Sequence, residues 1–316
     1  MTQYIIRRLL LAVPTLLIII FAVFMIMRLV PGSVVDIILA ENPYATEGDK
    51  EAMEKELGLY GPIHEQFARY LGELARGDLG TSPWTGEEVT TELKNRLPVT
   101  LEFGTIAILI GLIIALPVGI VSAIRQDTWQ DYVWRSFAIL ALSVPYFFTA
   151  TLLVVFPVMW WGWSPPLIYK PWSSGVFSHL EYFFWPALLL GVTLSGTVMR
   201  LTRTQMLEVL RQDYIRTAWS KGLRERVIIS RHALKNALIP VVTVIGLQIR
   251  IAVGGTLILE TIFNMPGIGR YYISAIPQRD YPSIQGVALV IALIVVVSNL
   301  VVDLTYGWLD PRIRYS

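Results

Sequence analysis

The sequence has no cysteine and only three histidines among its 316 residues, and 16% of the residues are charged. Without cysteine the chain forms no disulfide and performs no thiol chemistry. A soluble domain usually has about 25% charged residues, so this chain has too little charge to cover a water-exposed surface. Its net charge of +2 is too small to indicate a nucleic-acid partner on its own.

Hydrophobic residues make up 54% of the chain and gather in long runs without charge. A transmembrane helix needs about 20 predominantly apolar residues. The runs therefore predict an all-α integral membrane protein with six transmembrane helices, the fifth interrupted by Arg250. The predicted spans are residues 9–27, 103–124, 136–163, 182–199, 237–259 and 281–302.

Composition divides the chain into three parts. Residues 1–30 hold the amino terminus and the first span, residues 31–97 form an acidic segment, and residues 98–316 hold the other five spans. The acidic segment contains thirteen carboxylates and six basic residues. This composition predicts a water-exposed sub-domain. Its helical patterns at 48–57 and 62–74 are broken by turns at Gly58, at Gly61-Pro62 and at 77–80, a segment that begins and ends with glycine.

The distribution of Lys and Arg predicts the orientation of the chain. Nine basic residues lie between Arg200 and Lys235, whereas the outer loops beyond the acidic segment hold three. Cytoplasmic loops are enriched in Lys and Arg. We therefore expect the 200–235 loop and both termini to be cytoplasmic, and the acidic segment to be extracytoplasmic.

The coupling loop, defined here as residues 204–238, predicts a helix, a glycine turn and a second helix. Asp213 is a good N-cap, and Gly222 falls where a left-handed C′ residue is needed before a helix at 224–233. Asn236 is a candidate cap for a third helix with Pro240 in its first turn. Such a basic loop can simply face lipid headgroups, or it can be a rigid protrusion that another protein grips.

The same stretch resembles the cytoplasmic EAA loop of permease subunits in binding-protein-dependent ABC importers. That pattern is E-A-A, three residues, Gly, and a later Ile-x-Leu-Pro. Here RTA stands at 216–218, Gly222 matches the glycine, and LIP at 238–240 closes the pattern. Arg216 replaces the acidic residue and His232 occupies roughly the Ile position, a variant similar to the peptide/nickel (dipeptide/oligopeptide) branch.

Other segments resemble that branch in the same order along the chain. They are YIIRRL at 4–9, LGL at 57–59, RGDLGTS at 76–82, RLPVTLE at 96–102 and ETIFNMPGIG at 260–269. The resemblance implies a non-enzymatic permease subunit in a bacterial or archaeal inner membrane. It also implies a second related permease, identical or distinct, two ATPase subunits and an extracytoplasmic solute-binding protein.

The resemblance also implies roles for particular residues. The coupling helix of this family sits in a cleft of the ATPase, so ATP and magnesium are expected in the partner subunits and no cofactor in this chain. The chain itself contains no G-x-x-x-x-G-K-[ST] motif for phosphate binding. The resemblance to the family's loop implies an ATPase-coupling role for seven residues of this chain, namely Arg216, Thr217, Ala218, Gly222, His232, Asn236 and Pro240.

Two further groups of residues are candidates for function. A charge at the centre of a span costs about 2.5–3.5 kcal/mol on insertion scales, so Arg250 either lines the translocation path or pairs with another span or subunit. The last outer loop, 261–284, is aromatic and has little charge. It predicts either a re-entrant element whose Arg270, Tyr271 and Tyr272 contact the binding protein, or an interfacial aromatic belt.

The function expected from the sequence is ATP-driven import of peptides, with selectivity residing largely in the binding protein. The sequence leaves open whether the substrate is a dipeptide, an oligopeptide, a glutathione-like molecule or a nickel chelate. An ion- or proton-coupled secondary transporter is the alternative. It would need inverted repeats and carboxylates near the membrane midplane, and neither is evident in the sequence.

Overall fold

A computed structural model describes residues 2–40 and 46–309 and shows helices throughout these ranges. The one β-bridge among them joins Thr81 and Glu88. The helices are α1 (Thr2–Leu29), α2 (Val34–Ala40), α3 (Glu47–Glu56), α4 (Ile63–Ala75), α5 (Val89–Ile124), α6 (Trp129–Ser143), α7 (Tyr146–Trp161), α8 (Val176–Leu210), α9 (Asp213–Ser220), α10 (Glu225–Val227), α11 (Leu234–Ile262), α12 (Ile268–Gln278) and α13 (Tyr281–Leu309), with a 3-10 turn at Trp172–Ser174 and a π turn at Ile228–Ala233.

Five helical segments in the described ranges are long and apolar enough to cross a membrane, and the α6–α7 pair brings the number to six. The all-α membrane fold is thus confirmed. The span predicted at 136–163 consists of two helices, because α6 and α7 meet at a bend of 91°. Val144 is extended (φ −90°, ψ 120°) and precedes Pro145, whose ring disfavours helical geometry in the preceding residue.

The chain forms two compact units. Among the described residues, one contains Leu101–Met265 and 297–309, and the other contains Thr2–Thr100 and Pro266–Val296. We call them the core unit and the outer-segment unit. Helices α5 and α13 contribute residues to both.

In the core unit, glycines allow α5 and α8 to approach closely. A Cβ atom on Gly191 would lie 2.7 Å from the carbonyl oxygen of Ala107, and one on Gly111 would lie 2.9 Å from the carbonyl oxygen of Gly191. Helices within membranes associate largely through such close packing of small residues.

Three helices of the core unit are also joined by a buried ion pair. Asp131 of α6 is fully buried and accepts two hydrogen bonds from Arg203 of α8, at 2.7 Å and 2.6 Å. Its carboxylate also accepts hydrogen bonds from the Ser122 hydroxyl of α5 and the backbone N–H of Asp127. A buried charge is tolerated only when it is paired and hydrogen-bonded in this way.

In the outer-segment unit, the acidic segment forms the two predicted helices, α3 and α4. Thr46 and Asp49 make a capping box at the start of α3. The Lys50 ammonium lies 2.8 Å from the Asp36 carboxylate of α2 and, as its strongest partner, lowers the pKa of that carboxyl. The predicted turns at 58, 61, 77 and 80 are confirmed, since each of these glycines has a positive φ.

Helix α4 packs on α1 through aromatic rings. Phe67 contacts Phe21 and Phe24 with ring centroids 5.2 Å and 5.0 Å apart, and Tyr70 stacks on Phe24 at 5.8 Å. Burial raises the pKa of Tyr70 to about 12. The Arg28 guanidinium lies 3.9 Å from the centroid of the same Phe24 ring. The acidic segment therefore packs on its own chain.

The turn before α5 is tied to the loop between α12 and α13. The Ser82 hydroxyl donates to the Asp280 carboxylate at 2.5 Å, and the Trp84 indole donates to the carbonyl of Gln278 at 2.9 Å. The other Asp280 oxygen caps α13 by accepting from the Ser283 N–H. A single carboxylate therefore joins the end of the acidic segment to the start of the last span.

Candidate functional site

Helix α9 in the coupling loop ends in a glycine turn with complete Schellman geometry. Gly222 has φ +74°. Its N–H donates to the carbonyl of Trp219 at 2.9 Å, and the Leu223 N–H donates to the carbonyl of Ala218 at 3.3 Å. These are the two hydrogen bonds of the motif. The predicted left-handed C′ glycine is confirmed, and no atom lies within 4 Å of where its Cβ would be.

The start of α9 differs by one residue from the prediction. Gln212 is the N-cap and makes no side-chain cap bond, while Asp213 is the first helical residue. A carboxylate in the first turn still interacts favourably with the helix dipole. Asp213 also lies 3.2 Å from Arg216, in an exposed pair, and its carbonyl accepts the Thr217 hydroxyl at 3.0 Å.

One face of α9 is buried against the rest of the core unit. Ile215 is fully buried and Ala218 almost so. They belong to one apolar cluster with residues from α5, α8, the π turn and α11, namely Ala123, Met206, Ile228, Ala233 and Ala237. The helix is thus held as a rigid element, although it has only two turns.

Hydrogen bonds to the start of α11 also hold α9. The Asn236 amide donates to the Tyr214 hydroxyl at 2.9 Å and to the His232 carbonyl at 3.1 Å. The Tyr214 hydroxyl also donates to that carbonyl at 3.4 Å. His232 therefore takes part through its backbone, and Tyr214 is a residue that the sequence analysis missed. No spacing rule pairs it with Asn236, 22 positions later.

The prediction of a third helix capped by Asn236 is wrong, because the chain is helical without interruption from Glu225 to Ile262. The π turn at Ile228–Ala233 runs directly into α11. The Asn236 amide binds Tyr214 and the His232 carbonyl, so it does not cap a helix start. Pro240 lies inside α11 and leaves the Asn236 carbonyl without its helical N–H donor. Single π turns in helices are frequent at functional sites.

The opposite face of α9 is exposed. Arg216, Thr217, Ser220 and Lys221 are exposed polar residues, and Trp219 keeps 48% of its surface accessible. Exposed aromatic residues and arginines are enriched at protein interfaces. We call α9 with its glycine turn, residues 213–222, the knuckle; its exposed face is mixed basic and apolar.

The structure places the other predicted residues in separate regions. Arg250 is exposed on α11 and forms no ion pair with any described carboxylate. Arg270 is exposed and Tyr272 half-buried on α12. Tyr271 is buried, its hydroxyl lies 2.6 Å from the Ser283 hydroxyl, and burial raises its pKa. Tyr271 therefore packs inside the outer-segment unit, and the predicted contact with a binding protein stays a prediction for Arg270 and Tyr272.

Helix α12 begins at Ile268, directly after the Met265-Pro266-Gly267 segment. Gly267 is its extended N-cap, and the Ile268 N–H donates to the Thr100 hydroxyl at 2.9 Å. That contact satisfies one of the free N–H groups at the helix start.

Across residues 2–40 and 46–309, no three His, Asp or Glu side chains come together as a metal site.

Comparison with known proteins identifies the family. The binding-protein-dependent transport system inner membrane component family matches residues 115–315, and the N-terminal family of such membrane components matches residues 1–104. The chain belongs to this family. The permease is also 40% identical over 335 residues to the dipeptide transport system permease protein DppB of Alkalihalophilus pseudofirmus, with all of both chains covered.

A second relative and a solved structure agree with this placement. The permease is 35% identical over 318 residues to the oligopeptide transport system permease protein AppB of Bacillus subtilis, again with full coverage of both. A crystal structure of an amino acid ABC transporter with histidines matches with a TM-score of 0.54 and 15% identity, over 69% of this chain and 94% of that one. That likeness concerns the fold. The permease is thus a multi-pass inner-membrane transport component, as predicted.

Proposed function

We propose that the permease is the membrane subunit of an ATP-driven importer of peptides. It forms half of the translocation pathway and pairs with a second, related permease. The peptide assignment is supported by two relatives of full length, which are named for dipeptide and oligopeptide transport. Within residues 2–40 and 46–309, no structural feature favours the alternative of an ion- or proton-coupled secondary transporter.

The observation that carries the proposal is the geometry of α9 and its glycine turn. The knuckle is fixed to the core unit by Ile215, Ala218 and the Asn236–Tyr214 hydrogen bond, while Arg216 and Thr217 face outward. We assign contact with an ATPase to Arg216, Thr217 and the turn at Gly222. Of the remaining coupling residues, Ala218, His232 and Asn236 act by holding the knuckle in place, and Pro240 lies inside α11.

ATP and magnesium bind to the partner ATPases in this proposal, and the permease has no catalytic role. The absence of a phosphate-binding loop in the sequence supports this division of labour. Binding of ATP would move the ATPases, and α9 would transmit that movement. Because α9 is packed on residues of α5, α8 and α11, its displacement would shift these spans together.

The orientation is part of the proposal. Both termini and the coupling loop lie in the cytoplasm, and the acidic segment and α12 lie outside, where Arg270 and Tyr272 meet the solute-binding protein. The excess of Lys and Arg in the 200–235 loop supports this orientation.

Arg250 is assigned to the translocation path. Its guanidinium is exposed on the surface of a single chain, and the cost of exposing a charge to lipid is high. A pathway between two permeases offers it water and the carboxylate or carbonyl groups of a peptide. This assignment predicts that Arg250→Ala lowers uptake without changing association with the ATPases.

Substitution of Gly222 tests the coupling proposal. Gly222→Val places a β-branched residue at φ +74°, a conformation that costs non-glycine residues roughly 1–2 kcal/mol. We expect Gly222→Val to reduce co-purification of the ATPases and ATP-driven peptide uptake in proteoliposomes. Gly222→Asn is the matched control for the turn, because asparagine tolerates the left-handed conformation.

Comparison of the two variants separates the turn from the contact. If Gly222→Asn retains association with the ATPases, the turn geometry is the requirement. If it also loses association, the ATPase approaches this position closely. Normal uptake by Gly222→Val, or uptake by the permeases alone without ATPases, would contradict the proposed function.

A further inference from the structure

A cavity of about 270 Å³ lies between α6 and α8 in the core unit, and its lining includes Ser122 and Thr204, the first residue of the coupling loop. Three arginines, Arg135, Arg200 and Arg203, line it together with Trp134 and the apolar side chains of Ile139 and Leu142. The cavity opens on the surface of the single chain, since Arg135, Arg200 and Ile139 are all exposed. We call it the arginine groove.

The charge in the arginine groove is only partly balanced. Arg203 is neutralised by the buried Asp131, which its guanidinium grips with two hydrogen bonds. Arg135 and Arg200 form no ion pair with any described carboxylate, and the Arg135 guanidinium lies 5.7 Å from the Tyr132 ring centroid. Two guanidinium groups are therefore available for an anion, beside a third that is fixed in place.

The groove is polar at one end and apolar at the other. On α6, Ile139 and Leu142 follow Arg135 by one and two helical turns, about 6 and 10 Å along the axis. Both are exposed, Ile139 to 61% and Leu142 to 40%. The other lining residues on this side, Ala138 and Met199, offer no side-chain hydrogen bond.

This pattern matches one class of ligand better than others. A soluble anion such as phosphate uses the arginines but gains nothing from the apolar wall. A peptide needs partners for its own N–H and C=O groups, and the apolar wall provides no side-chain partners. A phospholipid has an anionic phosphate followed by a hydrocarbon chain, and basic pockets between spans on the cytoplasmic side bind anionic headgroups.

We propose that the arginine groove binds an anionic phospholipid. Its phosphate lies between Arg135 and Arg200, and an acyl chain lies along Ile139 and Leu142. The assignment to the cytoplasmic leaflet, though not the binding itself, rests on the orientation in the proposed function. The lipid would bridge α6 and α8 beside the ion pair that already joins them.

Lipid binding can be measured on the purified full chain in detergent, without ATPases or transport. Native mass spectrometry would compare phosphatidylglycerol with phosphatidylcholine of the same acyl chains. We expect at least about tenfold tighter binding of phosphatidylglycerol, which corresponds to about 1.4 kcal/mol. Because no transport is involved, failure here would leave the proposed function untouched.

Charge variants identify the site. Arg135→Gln with Arg200→Gln should reduce phosphatidylglycerol binding about tenfold, whereas Arg135→Lys with Arg200→Lys should retain most of it. The control is Arg224→Gln with Arg231→Gln, which removes two exposed charges from the coupling loop and should leave lipid binding unchanged. Equal loss in the control, or no preference over phosphatidylcholine, would overturn the proposal.

An apolar variant separates the lipid from other anions. Ile139→Asn should weaken phosphatidylglycerol binding by severalfold because the acyl chain loses its wall. Neither inorganic phosphate nor an acidic dipeptide at millimolar concentration should displace the lipid. Displacement by phosphate would make the groove a site for a free anion, displacement by the dipeptide would make it a substrate site, and either result would overturn the lipid assignment.

Discussion

At the scale of single residues, the carboxylate of Asp131 is the group on which the stability of the fold depends most clearly. It is fully buried, and the backbone N–H of Asp127 and the side chains of Ser122 and Arg203 donate to it. Removal of one partner from a buried pair leaves an uncompensated charge, which costs more than the pair contributes. The pair therefore fixes the position of α6 relative to α8.

We predict that Asp131→Asn lowers the stability of the permease by about 3–5 kcal/mol, because Arg203 keeps its charge without a counterion. The measurement is the midpoint of thermal unfolding of the purified protein in detergent. Asp131→Leu combined with Arg203→Met should recover most of the loss, since an apolar pair of similar size removes the charge altogether.

Asp213→Asn is the control, because the Asp213–Arg216 pair is almost fully exposed. An exposed pair contributes about 0–1 kcal/mol to stability. The thermal-unfolding midpoint of Asp213→Asn should therefore stay close to that of the unchanged protein. A decrease for Asp131→Asn no larger than for Asp213→Asn would show that the buried pair is not needed for stability.

At the scale of elements, α9 is a two-turn helix that is too short to be stable alone. Isolated helices below about 12 residues are marginal in water. Its order comes from the buried Ile215 and Ala218 and from the bond between Asn236 and Tyr214. The knuckle is therefore as rigid as its attachment to α11.

We predict that Asn236→Ala loosens α9 while leaving the spans intact. The substitution removes the amide that joins the Tyr214 hydroxyl to the His232 carbonyl, a hydrogen bond worth about 1 kcal/mol. Hydrogen exchange of amides in 213–222 should become several times faster. Lys235→Ala, on the neighbouring exposed position, should leave exchange unchanged, and equal acceleration in both would contradict the attachment.

Much of this element pattern could be predicted from the sequence, and the failures have physical causes. Long apolar runs predict spans because the bilayer sets their length, and Gly222 predicts its turn because of its backbone freedom. The bend at Val144–Pro145 was missed because hydropathy alone is insensitive to backbone geometry. The uninterrupted helix through Asn236 was missed because the Asn236 amide binds the Tyr214 hydroxyl instead of capping a helix. That contact forms only in the folded chain.

The partners of Asp131 were equally beyond the sequence. Arg203 lies 72 positions further along the chain, and no pattern of residue types joins the two. The burial of Tyr271 was missed for a similar reason. Its neighbours Arg96 and Ser283 come from other helices. Part of the aromatic loop predicted to contact a binding protein is therefore buried inside the outer-segment unit.

At the scale of the whole molecule, the proposed function depends on which side of the membrane each region occupies. The absence of cysteine makes this testable, because a single introduced cysteine is the only thiol. We predict that Glu51→Cys reacts with a membrane-impermeant maleimide in intact spheroplasts, and that Ser220→Cys reacts only after permeabilisation. Both positions are exposed, and the opposite pattern would invert the orientation.

The most direct test of the central claim is a cross-link between α9 and an ATPase. Ser220→Cys, in a complex with the second permease and the ATPases, should form a cross-link to an ATPase subunit with a short thiol-reactive reagent, with a yield that changes when ATP is added. Glu51→Cys in the acidic segment should form none. A cross-link from Glu51→Cys, or none from Ser220→Cys in a complex that transports peptide, would contradict the account.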